Sequence, residues 1–338
     1  MSGRGRVLAF VAVTLVVVSV VGVYVVLQGR EVRTQRTAPP AAEQTSVADV
    51  GAAPRIVFRH TGLDDAYGTV AMVPLDDPGG ARAFTDVVCD RVAARAEGAS
   101  CLVTDRGVVT TYEVQEYDPD WEEVSSEDLP GIPSRTRLSP DGSLVATTTF
   151  VSGHSYMSTG FSTATEVHAF GGGTQWGNLE KFTLVIDGRT VRPVDRNVWG
   201  VTFVDDDTFY ATVATGDRTW LVRGSLSDRS LTSVSPDAEC PALLPDGTRV
   251  AFKVDVDPGR AIVWQLAVQD LSTGERTVLE NGPRGVDDQV EWLDDDTLVY
   301  GMPRTDEPGV TDVWSVDAAA QAEPELLIEQ AWSPTVVR

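Results

Sequence analysis

Leu138-Ser139-Pro140-Asp141-Gly142-Ser143-Leu144-Val145-Ala146 reads as a tight polar turn that leads into an apolar strand. Proline presets φ, aspartate bonds its own backbone and glycine accepts positive φ, so the chain reverses there. The device returns in Leu244-Pro245-Asp246-Gly247-Thr248-Arg249-Val250-Ala251-Phe252. Val204-Asp205-Asp206-Asp207-Thr208-Phe209-Tyr210-Ala211 and Leu293-Asp294-Asp295-Asp296-Thr297-Leu298-Val299-Tyr300 are acidic versions of it. One kind of turn recurring at intervals of several tens of residues marks an array of similar β units.

Outward from these turns, residues 55–338 alternate short runs of β-branched and aromatic residues with clusters of Gly, Pro, Asp and Ser. That is an all-β pattern, and no stretch sustains a helical period. The runs fall into six groups of about four strands, which predicts a six-bladed β-propeller with four-stranded antiparallel blades. The first group, 56–60, 69–75 and 82–85, is one strand short. The last run, 333–337, is left over and is expected to complete the first blade and close the ring. The third group is read as 135–138, 144–151, 166–170 and 181–186.

Leu138 to Ala146, Leu244 to Lys253, and Val290 to Gly301 with Thr311-Asp312-Val313-Trp314-Ser315-Val316-Asp317 resemble the repeat of TolB-like, or WD40-like, β-propellers. The resemblance covers most of residues 55–338 and is strongest in the last two groups. The whole chain also resembles membrane-anchored TolB-like proteins of actinobacteria. An Arg-, Ala-, Val-, Asp- and Gly-rich composition with only Lys181 and Lys253 suits such a high-GC genome. The resemblance implies a partner-binding platform. A Tol–Pal role does not carry over, because no N-terminal α/β domain is recognisable here.

Residues 7–27 carry no charge and are rich in valine. At about 1.5 Å per residue they match a hydrocarbon core of about 30 Å, so 1–29 is read as a single N-terminal transmembrane helix. The Val23-Tyr24-Val25-Val26-Leu27 end offers no small-x-small cleavage site, which argues against a signal peptide. Residues 30–54 are poor in aromatics and rich in Ala, Pro, Thr and Gln, and are read as a disordered, flexible linker. The domain order is therefore anchor (1–29), linker (30–54) and propeller (55–338). The expected location is the cell membrane, single-pass, with the propeller on the extracytoplasmic side. Cys89 and Cys101 lie on adjacent β runs and are expected to form a disulfide, which suits an oxidising location. Cys240 has no evident partner.

The net charge of −23 repels phosphate backbones and excludes a nucleic-acid partner. A 42% hydrophobic content is enough for a large core. The most unusual polar segment is Phe150-Val151-Ser152-Gly153-His154-Ser155-Tyr156. His154, Ser155 and Tyr156 are ligand-binding candidates because propeller loops line ligand faces. Trp176 stands between Gly171-Gly172-Gly173 and Gly177 and is a candidate binding aromatic. Asp287 and Asp288 precede a strand rather than fill its turn, and are the best carboxylates for calcium. No cofactor is otherwise expected, and three scattered histidines with no CxxC or HxxxH pattern do not make a zinc site.

No GxSxG elbow is present, and no α/β domain remains to hold a triad. These features predict a binding scaffold of the cell envelope rather than an enzyme, its partner an envelope protein or small ligand and its tether the membrane. The alternative is an extracytoplasmic hydrolase or lyase acting on cell-wall or sugar material. That alternative requires a deep channel in which carboxylates or histidine with shifted pKa values converge, with His154, Tyr156 and acidic side chains at one mouth.

Overall fold

A computed structural model describes residues 37–151, 162–257, 262–279 and 285–338, together with Phe10, 13–15, 17–22 and Tyr24. The chain divides into two compact units, Met1–Ala41 with Gly62–Tyr67, and Ala42–Thr61 with Gly68–Arg338.

The larger unit opens with strand β1 (Gln44–Thr45) and helix α1 (Val47–Gly51). The first sheet follows with β2 (Arg55–His60), β3 (Thr69–Pro74) and β4 (Arg82–Val88), and the second is β5 (Arg91–Arg95), β6 (Gly98–Arg106), β7 (Thr110–Tyr117) and β8 (Glu123–Asp128). The third is β9 (Ile132–Leu138), β10 (Leu144–Val151), β11 (Ser162–Ala169) and β12 (Gln175–Asn178). Two short strands, β13 (Thr183–Ile186) and β14 (Arg189–Val191), precede the fourth sheet of β15 (Asn197–Phe203), β16 (Thr208–Thr215), β17 (Arg218–Ser225) and β18 (Ser230–Pro236). The fifth is β19 (Glu239–Leu243), β20 (Arg249–Asp255), β21 (Trp264–Asp270) and β22 (Arg276–Val278), and the sixth β23 (Glu291–Trp292), β24 (Thr297–Pro303), β25 (Thr311–Asp317) and β26 (Glu325–Ile328). The last strand, β27 (Ala331–Val337), returns to the first sheet, where it pairs antiparallel with β2 from Arg55–Val337 to His60–Ala331. This is a six-bladed β-propeller closed by its C-terminal strand.

Closure makes every blade bury both faces. Six apolar clusters lie one between each pair of neighbouring blades. In β20, Val250 and Phe252 pack toward the fourth blade while Ala251 packs toward the sixth. Alternate residues thus serve opposite faces, and the strand reads as a nearly continuous apolar run.

The recurring turns share one chemistry. Asp141 Oδ1 accepts from the Ser143 amide (3.1 Å), Asp246 Oδ1 from the Thr248 amide (2.8 Å), Asp205 Oδ1 from the Thr208 amide (2.6 Å), and Asp294 Oδ1 from the Asp296 amide (2.9 Å). Gly142 and Gly247 take φ of 71° and 76°. The acidic clusters at 205–207 and 294–296 are therefore turn formers.

Three expectations are corrected. The fourth strand of the third blade is β12, and residues 183–186 join the fourth blade, parallel to β18. Phe182 and Leu184 are buried against that blade's apolar face, which decides the side they take. Within 30–54, β1 pairs parallel with the open edge of β4, and α1 is capped by Ser46 and buries Val50. An unpaired strand edge offers backbone partners that composition does not reveal.

The third correction concerns the membrane. Much of 7–27 lies outside the described residues, and among the described residues no helix is long and apolar enough to cross a membrane. The transmembrane helix, the membrane tether and the single-pass location are not supported. Hydropathy measures composition and does not establish a continuous helix, and β-branched valine is a weak helix former.

Candidate functional site

The six innermost strands, β27, β5, β9, β15, β19 and β23, surround the channel. Four of these blades carry a register shift at the inner strand, at Val57/Arg59, Thr148/Thr149, Trp199/Thr202 and Glu239/Ala242. Ser333, Gly200 and Cys240 hold positive φ there (55°, 65° and 52°). Such bulges re-aim side chains.

At the mouth where the inner strands begin, cationic and acidic side chains converge. Arg91 Nη1 donates to Asp288 Oδ1 (2.7 Å), and its guanidinium lies 4.7 Å from the Trp332 ring centroid. Arg135 Nη2 donates to the Asp287 carbonyl (2.6 Å) and stands 3.8 Å from Asp287 Oδ1. Lys253, buried under Trp264, brings Nζ to 3.5 Å from Asp287 Oδ1. Burial alone would lower Arg135, but the Cys240 sulfur, Asp288 and Asp287 together raise it. Gln289 Nε2 donates to the carbonyls of Val201 (3.4 Å) and Pro241 (3.3 Å), bracing the fourth and fifth inner strands.

Glu239 is the residue at this mouth whose chemistry stands apart. It opens β19 and sits opposite Lys253 in the ladder. Burial pushes its carboxyl up to about 7, with Lys253 opposing the rise and Asp287 and Asp255 adding to it. Among the described residues its side chain makes no hydrogen bond. Glu180 offers the contrast. Burial pushes it also to about 7, yet its oxygens accept from Thr163 Oγ1 (2.8 Å), the Thr165 amide (3.2 Å) and the Val198 amide (3.2 Å). Glu180 is a latch between the third and fourth blades.

The other mouth, ringed by the recurring turns, holds a cavity of about 430 Å³ lined by Arg95, Glu97, Arg137, Asp246, Glu291 and Arg338 among others. Arg137 pairs with Glu291 there.

His154, Ser155 and Tyr156 lie outside the described residues. Trp176 is half-buried against the apolar cluster of the fourth blade, and its carbonyl accepts from Arg229 Nη1 (2.7 Å). Asp288 is buried with its oxygens on Arg91 and the Gly301 amide (3.1 Å), so both aspartates already face cations of the protein. Among the described residues no group of three or more His, Cys, Asp or Glu is placed to hold a metal ion. His168 and Glu116 are paired in the protein interior at 2.8 Å, and His60 stacks edge-on against Phe84. Cys89 and Cys101 form a disulfide with Cα atoms 5.4 Å apart, and Cys240 is a buried free thiol. Sequence reasoning passed over Glu239, Lys253 and Arg135. Two charges facing each other across a strand pair inside an apolar run were the available signal.

No family model matches the sequence, and no curated protein matches it. Among solved structures, TolB from Acinetobacter baumannii superposes with a TM-score of 0.57 at 16% identity, covering 84% of this chain and 67% of that one. The fold is a β-propeller distantly related to TolB-like proteins. A chain of a nidogen/laminin complex gives a TM-score of 0.51 at 11% identity, covering 84% of this chain and 98% of that one. At these identities the likeness is one of fold. It speaks neither to membrane anchoring nor to an actinobacterial source.

The expectation of a scaffold rather than an enzyme is not upheld, since enzymes stand among the structures similar in shape, and the expected tether is not supported, since among the described residues no helix is long and apolar enough to cross a membrane. A puromycin-hydrolyzing peptidase of Mycobacterium tuberculosis (TM-score 0.44, 17% identity, 87% of this chain and 56% of that one), the tricorn protease and an oligogalacturonate lyase are also similar in shape. No activity transfers from such distant matches.

Proposed function

We propose that this chain is an enzyme, a hydrolase or lyase acting on cell-wall or sugar material, with its reacting centre at the mouth where the inner strands begin. One observation carries the reading: the Glu239 carboxyl is pushed up to about 7, opposite a buried lysine, with no side-chain hydrogen bond among the described residues. A carboxyl with a pKa near 7 is half-ionised at neutral pH and suits proton transfer in either direction. Lys253 supplies positive charge opposite it, and Arg135 stands against the neighbouring Asp287, which suits a sugar carrying a carboxylate. In an elimination, Glu239 takes the proton from the carbon next to that carboxylate. The electron pair forms the double bond, and the glycosidic oxygen leaves with its bonding pair and takes a proton from water. In a hydrolysis, the protonated Glu239 gives its proton to the leaving oxygen while Asp287 activates water.

The test is incubation of the purified protein with uronate-bearing polysaccharides and peptidoglycan fragments. Products are followed by mass spectrometry and by absorbance of an unsaturated end. Turnover by the wild type and its loss in a folded Glu239→Gln variant is the expected result. Intact substrates throughout, or an unchanged rate in the variant, would sink the reading.

A further inference from the structure

We propose that the channel mouth ringed by the recurring turns binds a compact phosphate-type dianion, gripped by Arg95, Arg137 and Arg338. This site is separate from the Glu239 mouth and does not depend on it.

The chain carries a net charge of −23, yet three guanidiniums line one cavity of about 430 Å³. They come from three different inner strands or their ends: β5, β9 and the residue after β27. Desolvation lowers all three, and Arg95 repels both of the others. Like charges gathered in a desolvated site are unfavourable unless an anion joins them.

The carboxylates at the mouth offset part of this charge, Glu97 acting on Arg95 and Asp295 and Asp294 on Arg338 without closing an ion pair among the described residues. Glu291 is taken by Arg137. Asp246 is turned into its own loop, accepting from the Thr248 amide and Oγ1 (2.7 Å). Glu97 is exposed at the rim. Among the described residues, Arg95 and Arg338 make no ion pair. Arg95 Nη1 donates to the carbonyls of Ala94 (3.1 Å) and Val336 (3.4 Å), and Arg338 Nη2 to those of Trp292 (2.8 Å) and Leu293 (3.2 Å). These bonds fix both guanidiniums in place while leaving further N–H donors on each. Arg137 Nε is buried without a partner.

Fixed, forked donors from three strand ends match the several oxygens of a phosphate, and two charges offset more repulsion than one. The volume admits a small phosphate ester as well as the free ion.

The experiment is titration of the full chain with inorganic phosphate and, separately, a hexose phosphate, against chloride at matched ionic strength. Calorimetry and thermal denaturation are the readouts. Saturable binding with a raised Tm is expected, weakened roughly tenfold or more in Arg95→Gln and in Arg338→Gln. Arg95→Lys, which keeps the charge and loses the fork, should bind between wild type and Arg95→Gln, and serves if the glutamine variant does not fold. Glu239→Gln should bind as the wild type does. Tighter binding of the ester than of phosphate, or equal binding, both support the site and tell which source fits it. A response no greater than chloride's overturns the proposal, as does wild-type affinity in both glutamine variants.

Discussion

Glu239 stands opposite Lys253 in the β19–β20 ladder, but Lys253 reaches across to Asp287 instead, with Nζ 3.5 Å from Oδ1. The glutamate is left half-buried, and its carboxyl is pushed from an ordinary 4.5 up to about 7. A raised carboxyl favours the folded state in its protonated form. That contribution is complete below about pH 4.5 and is lost as pH rises through about 7. Glu239→Gln removes the loss. The variant should match wild type near pH 4 and exceed it near pH 8, by at most about 3 kcal/mol. Denaturant unfolding at the two pH values checks this. Equal stability at the higher pH would mean the carboxyl is better solvated than its burial implies.

Gly200 and Cys240 meet where two inner-strand bulges touch. A Cβ on Gly200 would stand 2.7 Å from Cys240 Cα, and Gly200 φ is 65°. Gly200→Ala should cost about 2–4 kcal/mol, through both strain and overlap. Gly216 has a φ of 60° and open space around it. Gly216→Ala should cost only about 1 kcal/mol. Denaturant midpoints of the two variants should differ in that order, and similar midpoints would place the blade contact elsewhere.

The Cys89–Cys101 bridge spans a separation of 12 residues within the cluster joining the first two blades. Closing a loop of that length stabilises by about 3 kcal/mol in the chain-entropy picture. Replacement of both cysteines by serine, or reduction of the wild type, should lower the thermal midpoint. Cys240→Ser should respond differently, because that thiol lies in the channel wall and bridges nothing.

Removal of residues 331–338 strips β2 of its partner along the register from Arg55–Val337 to His60–Ala331. An open ring then presents the edge of β2 and the uncovered face of the sixth blade. The truncated chain should lose cooperative unfolding and self-associate on a sizing column. A synthetic peptide of residues 331–338 added in trans should restore part of the native signal by strand addition. A truncated chain that unfolds like the full one would show that closure is not what holds the ring.

Much of the architecture was legible because turns and strands are local. Pro140, Asp141 and Gly142 reverse the chain by their own backbone preferences, and alternation along β20 needs only that both faces be buried. The spare strand near the C-terminus declared itself by counting. The place of residues 183–186 was not legible, because Phe182 and Leu184 satisfy either neighbouring blade as far as hydrophobicity goes. The edge strand at Gln44–Thr45 was missed because a two-residue pairing leaves no periodicity. The anchor read from 7–27 is not supported, because among the described residues no helix is long and apolar enough to cross a membrane.

Chemistry belonged almost wholly to the tertiary structure. Lys253 and Asp287 are 34 positions apart, and Arg137 and Glu291 are 154 apart. Neither pair leaves any mark in spacing, because ring closure alone brings inner strands of distant blades to one axis. The sequence by itself determined the repeat, the turns and the strand content. The ring decided which charges would be buried together, since desolvation and Coulomb energy depend on distance through space and not along the chain.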